Sequence, residues 1–107
     1  MLVNNVKRIL TNKRLSTFKS TLGKKHAVDL IFLLYLDKGH HKEAKLFMGD
    51  LGLPLSDGSY YARMKELVSV GLAKSVPIDS KRKYFVITKV GEEVAERLLE
   101  FFEKLED

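Results

Sequence analysis

The stretch that decides the fold is Ser56–Thr88, SDGSYYARMKELVSVGLAKSVPIDSKRKYFVIT. Ser56 and Asp57 are both suited to accept the free backbone N–H groups at a helix start. Beyond them Tyr60, Met64, Leu67 and Val68 recur at helical spacing. That spacing predicts a helix from about Asp57 or Gly58 to Val70, with Tyr60 on its core side. Gly71 closes it. Leu72–Ile78 and Lys83–Thr88 are rich in valine, isoleucine and aromatics, which predicts two strands. In the second, Tyr84, Val86 and Thr88 alternate with Phe85 and Ile87. The polar run DSKR, residues 79–82, joins the strands as a hairpin and puts Lys81, Arg82 and Lys83 at its tip. Pro77 falls near the end of its strand, where an edge strand tolerates it.

Upstream, Leu2, Val3, Val6, Ile9 and Leu10 give residues 2–12 a helical apolar spacing. A lone helix of this length is marginal in water, so it needs a surface to pack on. Ser16–Gly23 is polar and reads as a connection or a second short helical turn. His26–Leu36, HAVDLIFLLYL, is apolar on nearly every side, the mark of a helix buried on more than one face. Asp37, Lys38 and Gly39 stop it. His41–Leu51 reads as a further helix, with Ala44, Phe47, Met48 and Leu51 on one face, before Gly52 and Pro54 break the pattern. Downstream, Val94, Leu98, Phe101, Phe102 and Leu105 form a stripe on a last helix from about Val90 to Lys104. The predicted order is four helices, two strands and a helix, an α+β, mostly helical class.

The 107 residues suffice for one compact domain and not two. No run of eighteen apolar residues occurs, so no membrane span is expected. MLVNNVKRIL lacks the features of a signal peptide, and cysteine is absent. A cytoplasmic protein without disulfides or thiolate metal sites is therefore expected. The absence of glutamine and tryptophan, with abundant Lys and Glu, resembles a thermophilic composition.

The net charge of +5 is unevenly spread. Residues 1–25 carry seven Lys/Arg and no acid, whereas residues 90–107 carry two against seven acids. The basic part suits a polyanion and the acidic tail should point away from one. Adjacent His40 and His41 do not share a helix face, His26 stands alone, and no acid or thiol cluster accompanies them. No metal and no cofactor is expected. No nucleophile–base arrangement, phosphate loop or HExxH motif is present, so an enzyme is not expected.

Four segments in order carry a resemblance: LGKKHAVDLIFLLYLDKG (22–39), KEAKLFMGDLGL (42–53), SYYARMKELVSVGL (59–72) and KYFVITKVGEEV (83–94). Together they resemble the winged helix-turn-helix transcriptional regulators of the HxlR, PadR and MarR kind, HxlR most closely. Leu67, Gly71 and Leu72 match the end of that family's recognition helix. Tyr84, Val86 or Ile87, Thr88 and Gly91 match the end of its wing. The chain lacks the cysteine and the tryptophan that the HxlR group often carries. The resemblance implies a single domain over 1–107: an N-terminal helical extension (1–22), a winged-helix core with a two-stranded wing (23–89), and a C-terminal helix (90–107).

It also implies a partner, double-stranded DNA, and a dimeric regulator, read here as a repressor. In a helix-turn-helix the second helix enters the major groove, and its first residues reach base edges. On an ideal helix Ser59, Ala62, Arg63 and Glu66 face away from the core, flanked by Tyr61 and Lys65. Arg63 is the candidate for guanine readout. Ser59 could reach a base or a phosphate, and Tyr61 a phosphate. Small Ala62 allows close approach. Lys81, Arg82 and Lys83 are candidates for phosphate or minor-groove contact, a term that carries affinity and salt dependence. Their bland alternative is a solvated hairpin tip.

The homodimer seam is expected on the terminal helices, at Val6, Ile9, Val94, Leu98, Phe101, Phe102 and Leu105. The N-terminal cations have two readings, an arm on flanking phosphates or the wet face of a dimer helix. A small-molecule effector, if one acts, would sit in the dimer crevice. Two other functions stay open at this level: a protein-interaction adaptor, and a plasmid or viral DNA-binding replication factor.

Overall fold

A computed structural model of the protein describes residues 1–38 and 55–106. The helix expected over His41–Leu51, with His40 and His41, lies outside the described residues. The described elements are α1 (Leu2–Thr11), α2 (Lys13–Leu22), α3 (Ala27–Leu36), α4 (Asp57–Ser69), β1 (Ala73–Pro77), β2 (Lys83–Ile87) and α5 (Lys89–Leu105). The class is α+β and mostly helical. No helix among the described residues is long and apolar enough to cross a membrane.

Helix α3 is the central element. Ala27, Leu30, Ile31, Leu33 and Leu34 are buried on it, as its near-continuous apolar sequence predicts. The last four join Tyr60, Met64 and Leu67 of α4, Leu72, Ala73 and Phe85 of the hairpin, and Ala95 of α5 in one core. Burying a side chain of the size of Leu or Met contributes about 1.5–3 kcal/mol. Helices α3 and α4 thus hold their place through a few such residues. Helix α5 packs along α3 through an edge-on pair of Phe32 and Phe102, with ring centres 5.9 Å apart. The Tyr35 hydroxyl adds a hydrogen bond to Glu96 at 3.2 Å, and Lys38 an ion pair to Glu92 at 3.2 Å.

Residues 13–22 form a full helix where the sequence suggested a connection or a single turn. Asn12 starts it, its side chain accepting the Leu15 N–H at 3.0 Å. Phe18 and Leu22 then pack against the core and Thr21 is buried. Its apolar stripe is only three residues wide, and four Ser/Thr residues dilute it. Packing decides in favour of helix here, not periodicity.

The strands are antiparallel, with Ala73 opposite Ile87, Ser75 opposite Phe85 and Pro77 opposite Lys83. Thr88, expected as the last strand residue, is the N-cap of α5, and its hydroxyl accepts the Gly91 N–H at 3.0 Å. A two-stranded sheet is not stable alone. Phe85 is its anchor, buried against Tyr60, with ring centres 6.2 Å apart.

Helix α1 is different, because none of its residues is buried. Its apolar stripe of Leu2, Val3, Val6, Ile9 and Leu10 is exposed throughout.

Candidate nucleic-acid interface

The candidate surface is built on α4 and the hairpin beside it. Ser56 caps α4 by accepting the Ser59 N–H at 3.2 Å, and its hydroxyl donates to Ser59 Oγ at 3.1 Å. Such a cap leaves the remaining N-terminal N–H groups and the positive dipole end directed out of the helix. At the other end Gly71 takes a left-handed conformation with φ +83°. The Gly71 N–H donates to Val68 and the Leu72 N–H to Leu67. This double bond pattern is the Schellman stop, which glycine enters without strain. The chain therefore turns straight from α4 into β1.

The helix does not present quite the face that ideal geometry predicts. Tyr61, Ala62, Lys65 and Ser69 are exposed, while Ser59, Arg63 and Glu66 are half-buried. The expected outward arginine is instead tied sideways. Arg63 Nη1 donates to Glu66 Oε2 at 2.9 Å, and the Arg63 side chain is only 20% exposed. Lys24, from the turn between α2 and α3, reaches the same carboxylate oxygen at 3.0 Å. The Lys24 ammonium foremost, with Arg63 adding to it, holds the Glu66 carboxyl below the usual carboxylate range, against the opposing effect of burial. Lys65 is the cation left on the exposed face.

On the opposite flank Tyr61 leans toward the hairpin. Its ring lies 5.1 Å from Tyr60 and 6.2 Å from Phe85, centre to centre. Aromatic contact thus fixes the hairpin against α4, and the Tyr61 ring remains partly exposed between them.

The hairpin tip is ordered by one carboxylate. Asp79 accepts the backbone N–H groups of Lys81 at 2.9 Å and Arg82 at 2.8 Å. It also accepts Arg82 Nε at 2.8 Å. The Lys81 amide, with Arg82 after it, keeps Asp79 below its ordinary range. Lys81, Arg82 and Lys83 are all exposed. Lys83 Nζ lies 5.8 Å from the Phe85 ring centre. Arg82 is thus partly neutralised by Asp79, and the two lysines supply the freer charge.

The sequence pattern predicts the helix, the two-stranded hairpin and the cations at its tip. It places Lys24 only among the N-terminal cations, Asp79 only in the polar connection and Thr88 only at the end of its strand. Asp79 had a local signal, an aspartate two residues before the tip cations, which favours a side-chain-capped turn. Lys24 had none, because its partner Glu66 is brought near only by folding.

The expected seam residues lie at the two ends of the chain. Val94 packs against the core and Leu98 is half-buried. Phe101 is 57%, Phe102 41% and Leu105 64% exposed, while Val6 and Ile9 are 44% and 43% exposed. An open crevice of about 720 Å³ lies between α2, the end of α4 and the start of α5, lined by Arg14, Leu15, Phe18, Val68, Val70 and Val90. Among the described residues no group of three or more His, Asp or Glu is placed to hold a metal ion. No protein-family model, curated protein or solved structure matches the chain.

Proposed function

We propose that the protein is a sequence-specific regulator that binds double-stranded DNA as a homodimer through a winged helix-turn-helix. The observation that carries this reading is the joint placement of α4 and the hairpin. A capped helix exposes Tyr61, Ala62 and Lys65. Beside it stands a hairpin whose ordered tip exposes Lys81, Arg82 and Lys83. A helix of this kind suits a major groove, and cations beside it suit the flanking phosphates. In this reading Ser59, Tyr61, Ala62 and Lys65 approach the groove, Arg63 reads a base, and the tip supplies sequence-independent affinity.

The homodimer part of the reading rests on α1 and the end of α5. Leu2, Val3 and Leu10 of α1 and Phe101 and Leu105 of α5 are exposed, and clustered exposed apolar side chains suit an interaction surface. The same faces also suit an adaptor that holds a different protein. Titration of duplex DNA at several salt concentrations separates the readings. A regulator gives a linear, steep fall of log affinity with log salt. An adaptor gives no duplex binding even at low salt.

A further inference from the structure

One cluster in the candidate interface ties down two cations, one of them the arginine proposed to read a base. Glu66 Oε2 receives Lys24 Nζ at 3.0 Å and Arg63 Nη1 at 2.9 Å. The cations come from different elements, the turn before α3 and helix α4. The Glu66 side chain is 29% exposed, so the cluster is reachable from outside. The Arg63 Nε is buried without a hydrogen-bond partner. The guanidinium is therefore held in a pose that leaves one donor unmet, and a better set of acceptors can draw it away.

We propose that Glu66 is a specificity-determining residue for duplex binding, restraining Lys24 and Arg63 from indiscriminate phosphate contact. The inference rests on the DNA-binding reading. Its logic lies in the difference between two acceptors. A phosphate offers Arg63 one oxyanion in exchange for another, and it brings a negative charge close to the carboxylate. The exchange gains little and adds repulsion. A guanine edge offers two neutral acceptors, N7 and O6, in the geometry of the guanidinium fork. It satisfies the donors without repelling Glu66. A carboxylate in this position lowers affinity for every duplex, and lowers it most where no guanine rewards the release. Specificity built from a repulsive element against the competitor has this form.

Glu66→Gln keeps the size of the side chain and removes its charge. Wild type and variant are titrated with two duplexes, one enriched from a random pool by the wild type and one of random sequence, at several salt concentrations. Thermal melts establish that both are folded. The variant is expected to bind the random duplex about tenfold more tightly and the enriched duplex by a smaller factor. Its salt slope should steepen by about one phosphate contact, roughly 0.9 in log–log units. Glu66→Asp, which keeps the charge, should stay near the wild-type ratio. An equal gain on both duplexes overturns the inference, as does a variant indistinguishable from wild type; duplex binding then still stands. A Glu66→Asp ratio that falls as far as that of Glu66→Gln also overturns it, because charge is then not the cause. Failure of both wild type and Glu66→Gln to bind duplex at low salt removes the DNA reading and this inference together.

Discussion

The hydroxyl of Thr88 donates to the carbonyl oxygen of Gly71 at 2.6 Å, joining the end of α4 to the start of α5. The Thr88 N–H also reaches the Leu72 carbonyl at 3.1 Å, and the hydroxyl caps α5 through Gly91. One side chain therefore fixes the base of the hairpin to the helix beside it. Thr88→Ala should cost about 1–2 kcal/mol, the usual price of a lost cap, and Thr88→Ser should recover most of it. Denaturant midpoints check this, and equal midpoints for wild type and Thr88→Ala would contradict it.

Gly91 shows how tight that joint is. A methyl group there would meet the Leu72 carbonyl oxygen inside van der Waals contact and Ile87 Cγ1 at 2.7 Å. Backbone cannot yield as a side-chain end does. Gly91→Ala should therefore destabilise by about 3 kcal/mol, the upper end of overpacking costs. A thermal midpoint unchanged from wild type would show that the contact relaxes freely.

The fold was legible where local pattern and tertiary packing agree. Tyr60, Met64 and Leu67 follow the helical period and are buried, and Gly71 stops the helix as a glycine should. The orientation of Arg63 was legible only in part, since Glu66 lies within pairing reach on the same helix but Lys24 is brought to it only by folding. An ideal wheel places it outward, but Glu66 and a lysine from another element pull it sideways. Helix α2 was equally hidden, since its three apolar residues gain meaning only once α3 is beside them. Tertiary context overrides local propensity in both cases.

Acid should weaken the folded state in a defined range. Asp79 and Glu66 are both held below their ordinary pKa values by neighbouring donors and cations. The native protein therefore binds fewer protons than the unfolded chain near pH ~4, where free carboxylates titrate. Their stabilisation is complete above that range and is lost as pH falls through the lower folded values. Denaturant midpoints should hold above about pH 5.5 and drop below about pH 4. The drop should be shallower in the Asp79→Asn, Glu66→Gln double variant. Identical pH profiles for the two proteins would remove these carboxylates from the explanation.

The two parts of the interface should fail differently. Arg63→Ala should relax base preference at one position by about 1–3 kcal/mol. Lys81→Ala combined with Arg82→Ala should weaken all duplexes alike and flatten the salt slope. Duplex titrations with matched and mismatched sites separate the two effects. The same loss pattern in both variants would refute this division of labour.

Phe101 is 57% exposed on one copy of the chain, so Phe101→Glu should leave the protomer folded. If the terminal helices pair two copies, light scattering should give a dimer-sized wild type and a monomer-sized variant. An unchanged particle would place the seam elsewhere.

Selection of bound fragments from a random duplex pool, repeated at several salt concentrations, tests the central claim most directly. A dimer presenting two copies of α4 should enrich a palindromic site with two half-sites about one helical turn apart, bound with a steep salt dependence. Recovery of duplex without any enriched sequence, or no recovery at low salt, would contradict sequence-specific DNA binding.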